Sequence, residues 1–184
     1  QGESFLVRFP DKSNMLVDGG GYLYENGLDF GEKYLVPALY AIGVDRVDRL
    51  LLTHPHPDHL GGLPAVAENF KIGEFIQGNW SSDSMDYQRL KKALAKKNVP
   101  VKTISPGNRF LFSAGGAVVN SLTPSLSEDT SEPSGDNDDS LVLKIQYKTF
   151  SALLMGDAGH VVENELLENG LKEATLLKVG HHGS

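Results

Sequence analysis

The chain has 184 residues with 24 acidic and 17 basic side chains, so its formal net charge is −7. This length suits one domain with a substantial core, and the 40% of hydrophobic residues is typical of a folded globular protein. The charge balance excludes a generally basic nucleic-acid-coating protein. The absence of cysteine excludes disulfides, thiolate metal ligands and a cysteine nucleophile, so any metal must be held by His, Asp and Glu.

The acidity is concentrated in one segment. Residues 124–140 (PSLSEDTSEPSGDNDDS) contain six acids and no base. Without those six, 18 of the 24 acids remain against 17 bases, a net charge of −1. We interpret the segment as a solvated acidic loop within an otherwise nearly neutral domain.

The predicted elements interleave strands with helices. Residues 5–9 and 14–18 are expected to form an opening hairpin, because apolar residues alternate before the Pro10-Asp11 turn. In chain order we then predict a helix over 32–42, a strand over 49–53, a helix over 63–70, a strand over 74–77, a helix over 84–98, strands over 101–104, 109–112, 117–122, 141–147 and 150–155, a helix over 159–169 and a strand over 176–179. The hairpins among these elements favour an α/β protein with mixed sheets.

The strongest functional signal is the run THPHPDHLGG at 53–62, directly after an apolar strand. It places four candidate metal ligands within six residues, namely His54, His56, Asp58 and His59. Imidazoles two residues apart can point the same way, while the ligands on the following turn can reach a second point a few Å away. This pattern predicts two borderline cations with nitrogen and oxygen ligands. A histidine-rich surface turn is the disfavoured alternative.

Three other features have both a functional and a structural interpretation. Arg89, Lys92 and Lys96 form a basic helix face that can contact phosphates, but a solvated face is favoured. Trp80 can serve as a substrate platform, but a packing role is favoured. His160 is expected to be a surface residue.

The HPHPDH run matches the H-x-H-x-D-H signature of the metallo-β-lactamase superfamily, and MLVDGG, LLMGD and VGHHGS resemble other motifs of that superfamily in the family order. Within it, the chain most resembles the nuclease-like domain of the ComEC family of DNA-uptake competence proteins, through QGES, HPHPDHLGG, NDDSLVLKI, LLMGDA and LLKVGHHGS. The resemblance implies a four-layer αβ/βα sandwich of two mixed sheets, with a two-metal hydrolase site along one edge.

The resemblance also implies a role for each motif residue. Two divalent ions, zinc or manganese, would be held by His54 and His56 at the first position, by Asp58, His59 and His181 at the second, and by Asp157 at both. Asp58 would also orient or deprotonate water. His182 would hold a substrate oxygen or protonate the leaving group, and Asp18 would orient a ligand histidine through its other ring nitrogen.

The chain departs from the superfamily pattern at one ligand. A third histidine usually binds the first ion, but no histidine lies between His59 and His160. Asn137, Asp138 and Asp139 stand at the comparable place. An oxygen ligand or water is therefore expected to replace the imidazole and to shift metal preference from zinc toward manganese.

These observations predict a metal-dependent DNA phosphodiesterase or nuclease. The alternatives are a small-molecule hydrolase of a lactone, β-lactam or phosphoester, and a weakly catalytic DNA-binding module beside a membrane channel. The ComEC resemblance implies DNA as substrate, a membrane-channel domain in the same parent protein and a position at the extracytoplasmic face of the cell membrane. The chain shows no targeting segment and no run of about 20 apolar residues. We expect residues 1–184 to form one domain, incomplete at both ends, that contains the acidic loop 124–140.

Overall fold

A computed structural model describes residues 2–22, 28–105, 109–123 and 136–183. The first sheet comprises the strands β1 (Phe5–Arg8), β2 (Asn14–Val17), β3 (Arg46–Leu51), β4 (Lys71–Gly78) and β5 (Val101–Ile104), in that spatial order. The second sheet comprises β6 (Phe110–Ala114), β7 (Ala117–Ser121), β8 (Leu143–Tyr147), β9 (Phe150–Leu154) and β10 (Leu176–Lys178), in the spatial order β10-β9-β8-β7-β6.

Both sheets are mixed. The opening hairpin pairs β1 with β2 in antiparallel register, as the sequence predicts, and β2, β3, β4 and β5 are parallel neighbours. In the second sheet β6 to β9 are antiparallel, and β10 joins β9 in parallel. The parallel strands are joined by helical crossovers, which place helices on the outer faces.

The helices follow the predicted order. A π-helical turn at Gly31–Leu35 runs into α1 (Val36–Ala41), and the later helices are α2 (Pro57–Leu60), α3 (Leu63–Asn69), α4 (Met85–Lys96) and α5 (His160–Glu168). The hydroxyl of Ser84 caps α4 by accepting a hydrogen bond from Tyr87 N at 3.2 Å. Short 3₁₀ turns lie at Asn137–Asp139 and Gly180–Gly183.

Three buried clusters define four layers. One lies between the first sheet and helices α1, α3 and α4, the second lies between the two sheets, and the third lies between the second sheet and α5. Strand β2 shows how one strand serves two clusters, because Leu16 faces the helices while Met15 and Val17 face the other sheet. The predicted four-layer sandwich of two mixed sheets is confirmed.

Some strands are longer than the sequence predicts. Strand β4 runs from Lys71 to Gly78 rather than over 74–77, because β3 and β5 pair with it on both sides. Cross-strand pairing keeps polar residues such as Lys71 in the ladder despite their low strand propensity. Of the acidic loop, the stretch 124–135 lies outside the described residues.

Candidate metal centre

The predicted ligands lie along one edge of the sandwich. Strand β3 leads into the run at 53–62, β9 leads into Asp157, and β10 leads into His181. The carboxyl ends of neighbouring parallel strands meet at one edge of a sheet. The two sheets are also joined there, because Leu141 N donates a hydrogen bond to the carbonyl oxygen of Thr53 at 3.0 Å. Ligands far apart in sequence are thus brought to one place.

The histidine run changes conformation in its middle. His56 is extended, with φ −69° and ψ 149°, and Pro57 then begins the short helix α2. Proline suits this first helical position because its fixed φ is helical and it lacks an N–H that would need a partner. Asp58 and His59 therefore lie on α2, whereas His54 and His56 precede it. The two halves of the run thus differ in local structure, and their division into two ligand pairs stays a prediction.

Gly61 and Gly62, at the end of the run, allow the backbone to approach its neighbours closely. Their φ values of −55° and −87° are ordinary for any residue. A Cβ atom on Gly62, however, would lie 2.2 Å from the carbonyl oxygen of Gly19. The strand end at Gly19 also donates its N–H to the carbonyl oxygen of His59 at 2.6 Å. These glycines hold the ligand helix against the end of β2.

His54 and His56 converge at the first predicted metal position. Nε2 of His54 lies 3.1 Å from Nδ1 of His56, and it lies 3.9 Å from Oδ2 of Asp157. The other ring nitrogen of His54 is 3.1 Å from the hydroxyl of Thr53. His56 also lines a pocket of about 370 Å³, together with Asp136, Asn137, Asp138 and Asp139.

Asp18 lies behind His59. Its buried carboxylate accepts hydrogen bonds from the N–H and the hydroxyl of Thr53, at 2.8 and 2.7 Å, and lies 2.8 Å from Nδ1 of His59. Hydrogen bonding of Nδ1 leaves Nε2 of His59 directed toward the ligand cluster. This is the geometry that the predicted orienting role of Asp18 requires.

The second predicted metal position contains buried polar atoms without hydrogen bonds. Nε2 of His59 and Oδ1 of Asp157 face each other at 3.1 Å, and neither makes an aligned hydrogen bond to any described residue. Ligand atoms of Glu3, His59, Asp157 and His182 all lie within 4.8 Å of one another. Convergent buried nitrogen and oxygen atoms of this kind fit a divalent cation, whose ligands stand roughly 3 Å apart.

The two predicted catalytic residues contact each other. Nε2 of His182 lies 3.2 Å from Oδ2 of Asp58 and 3.7 Å from Oδ2 of Asp157. Asp58 is nearly buried, whereas His182 is partly open to solvent. An imidazole that contacts a carboxylate and solvent can exchange a proton with a bound molecule.

His181 is placed differently from the prediction that it completes the second metal position. Its exposed ring lies 3.4 Å from Nδ2 of Asn137, and it is not part of the cluster around His59 and Asp157 in the described structure. Both His181 and His182 have positive φ, 42° and 53°. His181 thus contacts Asn137 whereas His182 contacts Asp58, and the ligand role of His181 stays a prediction.

The segment Asn137–Asp139, which stands in place of the usual third histidine, contains a buried side-chain oxygen without a hydrogen bond. Oδ1 of Asn137 is buried and has no hydrogen-bond partner among the described residues. Oδ1 of Asp138, in contrast, accepts a hydrogen bond at 2.8 Å from the N–H of Gly159, the residue before α5. Asp139 lines the pocket beside His56. Asn137 is thus the best placed of the three to offer an oxygen ligand.

The electrostatics of the site favour positive charge. Burial, with the charge of His59 adding, lowers the pKa of His54 to about 2, so His54 is neutral. Burial opposes protonation of His59, but its close contact with Asp157, its hydrogen bond with Asp18 and the charges of both carboxylates outweigh burial and raise its pKa to about 10. Burial also opposes ionisation of Asp157, but the close contact with His59 and its charge hold the pKa of Asp157 well below the usual range. A cation that binds between these groups must displace the His59 proton.

Two residues of the site were missed by the sequence analysis. Glu3 is nearly buried, and its carboxylate contacts the ammonium of Lys178; burial raises the pKa of Glu3. Nζ of Lys178 also lies 3.7 Å from Oδ1 of Asp157. Neither residue has ligand spacing to a neighbour. The only signal was their presence in QGES and LLKVGHHGS, the segments that resemble the ComEC family.

For Arg89, Trp80 and His160, the structure distinguishes the functional interpretation from the structural one. Arg89 donates to Glu68 and Asp29 at 2.5 to 2.8 Å, so the basic face of α4 lacks a free guanidinium. Trp80 is 5% exposed and packs against Tyr87, with ring centroids 5.9 Å apart. His160 is exposed. The favoured packing role of Trp80 and surface position of His160 are confirmed.

Comparison with known families agrees with this geometry. The family model described as the metallo-beta-lactamase superfamily matches residues 1–184. The chain belongs to the metallo-β-lactamase superfamily. Membership supports a metal-dependent hydrolase that uses divalent ions, and the His, Asp and Glu cluster offers a place for them. Among the described residues, none of the helices has the length and apolar character needed to cross a membrane.

Two relatives within the superfamily are competence proteins. The chain is 29% identical over 197 residues to ComE operon protein 3 of Bacillus subtilis (strain 168), and 27% identical over 199 residues to competence protein ComA of Neisseria gonorrhoeae. Each alignment covers 100% of this chain, but only 24% and 23% of the relatives. The chain therefore spans about a quarter of their length. The predicted resemblance to DNA-uptake competence proteins is confirmed.

A solved structure shows the same fold. The metallo-β-lactamase fold protein YhfI of Bacillus subtilis superposes with a TM-score of 0.58 at 14% identity, covering 96% of this chain and 62% of that one. Identity this low supports the shared sandwich and nothing about substrate.

Proposed function

We propose that this chain is the metal-dependent nuclease domain of a ComEC-like competence protein and hydrolyses phosphodiester bonds in DNA. The observation that carries the proposal is the convergence of His59 and Asp157, from different sheets, as buried atoms that face each other at 3.1 Å without aligned hydrogen bonds. The family membership supports hydrolysis, and the names of the two competence-protein relatives support DNA as the substrate.

The ligand assignment follows the two halves of the histidine run. His54 and His56 would hold the first cation, Asp58, His59 and His181 would hold the second, and Asp157 would serve both; Asn137 would offer its buried Oδ1 to the first. When bound, such a pair of divalent cations lowers the pKa of water and braces the attacking and leaving oxygens of an in-line displacement. The donor set of imidazoles and carboxylates suits zinc or manganese.

The protein's own groups move protons and orient the reactants. Asp58 orients the attacking water or accepts its proton, because its carboxylate lies on the edge where the ligands meet. His182 contacts Asp58 at 3.2 Å and remains partly exposed, so it can protonate the leaving oxygen. Asp18 fixes the ring of His59 from behind.

Bound cations would also allow an acidic chain to bind a polyanionic substrate. Three carboxylates, Asp58, Asp157 and Glu3, lie around the second position, and Asp136, Asp138 and Asp139 line the pocket beside His56. Divalent ions reverse the sign of the local field at the place where a phosphate binds. The proposal also includes a membrane-channel domain in the same parent protein and an extracytoplasmic location, which the resemblance to the ComEC family implies.

One observation favours a second candidate function. Asn137 replaces the usual third histidine, and its amide nitrogen lies near His181. If the first metal position is poorly filled, the chain functions as a weakly catalytic DNA-binding module. Counting cations distinguishes the two candidates, since two tightly bound ions per chain favour the nuclease.

Cleavage by the purified chain tests the proposed function. Single-stranded and double-stranded DNA are incubated with Mn²⁺, Zn²⁺ or Mg²⁺, with His56→Ala and Asp157→Ala as test variants. The matched control is His160→Ala, which removes an exposed imidazole from α5. We expect cleavage by the wild type and the control only. Bound metal without cleavage of any DNA would overturn the nuclease proposal, and cleavage of a lactone instead would favour a small-molecule hydrolase.

A further inference from the structure

The N-terminal segment is attached to the first sheet's part of the metal centre. The N–H of Glu3 donates to the carbonyl oxygen of Asp58 at 3.2 Å, and the carbonyl oxygen of Glu3 accepts from Gly20 N at 2.7 Å. A Cβ atom on Gly2 would lie 2.0 Å from the carbonyl oxygen of Asp58. Such a close backbone approach is possible only for glycine. The position of Glu3 is therefore tied to the ligand helix α2.

The side chain of Glu3 reaches the second sheet's part of the centre. Its Oε2 contacts Nζ of Lys178 at the end of β10. The same Nζ donates to the carbonyl oxygen of Gly156 at 2.5 Å and lies 3.7 Å from Oδ1 of Asp157. The Glu3 and Lys178 side chains are only 7% and 12% exposed. This buried pair thus connects the loop that carries Asp58 to the loop that carries Asp157.

A buried ion pair requires an explanation other than stability. Desolvation of two charges offsets much of their attraction, so such pairs often contribute little net stability. Groups that hold metal ligands from behind, in contrast, set the orientation of those ligands before the cation arrives. The pair lies where it can do this, because the two ligand sets come from different sheets and must meet at a fixed separation.

We propose that Glu3 and Lys178 are positioning residues that hold Asp157 at the separation from His59 that a shared cation requires. Lys178 fixes the Gly156 carbonyl and the Asp157 carboxylate, and Glu3 fixes Lys178. This inference rests on the proposed metal-dependent function. It assigns the segment QGES a role in the centre, although the segment carries none of the H-x-H-x-D-H ligands.

A charge-neutral double variant tests the proposal. Glu3→Gln with Lys178→Met removes the ion pair and leaves the net charge of the site unchanged, so altered cation affinity reports positioning rather than Coulomb attraction. We expect Mn²⁺ affinity, measured by calorimetry and by electron paramagnetic resonance of the bound ion, to fall about 10- to 100-fold. The matched control is Arg89→Met with Glu68→Gln, a second ion pair removed without a change in net charge; it should bind Mn²⁺ as the wild type does.

The Lys178→Met single variant separates positioning from direct ligation by Glu3. If Lys178 positions Asp157, the single variant binds Mn²⁺ more weakly than the wild type. Tighter binding would overturn the proposal, because the lost positive charge or the release of Glu3 as a ligand would then outweigh any positioning by Lys178. Restored affinity in Lys178→Arg would support a role for the charged donor rather than for side-chain volume.

The remaining outcomes are also decisive. Equal Mn²⁺ affinity of the wild type and the double variant overturns the positioning role and leaves the nuclease proposal standing, whereas a wild type that binds no divalent cation overturns both. If circular dichroism shows the double variant unfolded, Glu3→Asp carries the test: it keeps the charge but draws the carboxylate back from Lys178 by one methylene. Wild-type affinity in Glu3→Asp would then overturn the proposal.

Discussion

The carboxylate of Asp18 lies 2.8 Å from Nδ1 of His59, and both side chains are fully buried. Two hydrogen bonds from Thr53 hold the carboxylate in place. The contact joins the end of β2 to the helix α2, so one acid holds the ring of a histidine that lies 41 residues further along the chain. Because Nδ1 of His59 faces Asp18, the other ring nitrogen, Nε2, faces the cluster.

We expect Asp18→Asn to lower the metal affinity more than it lowers the stability of the fold. Asparagine keeps the shape and tolerates the φ of +58° at this position, but an amide polarises His59 less than a carboxylate does. The expected loss is about 10- to 100-fold in cation affinity, measured by competition with a metal-sensitive dye. The matched control is Asp48→Asn on β3, whose carboxylate accepts a hydrogen bond from Asn14 N. An equal loss in both variants would contradict the orienting role.

His181→Ala and His182→Ala should fail in different ways. We expect His181→Ala to lose a cation and His182→Ala to retain both cations while turnover falls about 10²- to 10⁴-fold, the range for loss of a general acid. Metal content by mass spectrometry and DNA cleavage rates are compared for the two proteins. The reverse pattern would mean that His182, which lies nearer to Asp157, is the ligand.

Without metal, stability should be greatest near pH 6.5. His59 has a folded pKa of about 10, raised from 6.5, so its contribution is complete below pH 6.5 and is lost as pH rises through 10. His54 has a folded pKa of about 2, lowered from 6.5, so its contribution is present above pH 6.5 and is lost as pH falls toward 2. Both contributions to stability are complete only near pH 6.5.

Urea unfolding measures this effect. With a chelator present, we expect the free energy of unfolding to fall by about 2 to 4 kcal/mol between pH 6.5 and 9.5. Saturating zinc should remove this decline, because His59 binds a cation only when neutral. A metal-free protein equally stable at both pH values would show that His59 carries no proton between Asp18 and Asp157.

Asn137→His should shift metal preference toward zinc. The free Oδ1 of Asn137 is buried near the pocket that His56 lines, and an imidazole there would supply a third nitrogen ligand to the first cation. We expect the ratio of zinc to manganese affinity to rise about tenfold or more. Asn164→His, on the exposed side of α5, is the matched control. An unchanged ratio would place Asn137 outside the first metal position.

Local sequence was sufficient for most of the fold. The alternation in 5–9 predicted β1 and its hairpin, because strand periodicity is a property of neighbouring residues, and the helix predicted over 84–98 is α4 at Met85–Lys96. The extent of β4 was underestimated, since the partners that extend it are β3 and β5 rather than its own residues.

The ligand-rich run at 53–62 can be recognised from sequence alone, because its four candidate ligands are near neighbours along the chain. Which distant residues join that run depends on how the two sheets pack together. Glu3 and Lys178 are separated by most of the chain and meet because the start of β1 and the end of β10 lie at the same edge. Arg89 is paired with Asp29 across 60 residues, which removed a candidate phosphate contact. Charge pairing depends on distance in space, and sequence spacing reports that distance only within one helix, strand or turn.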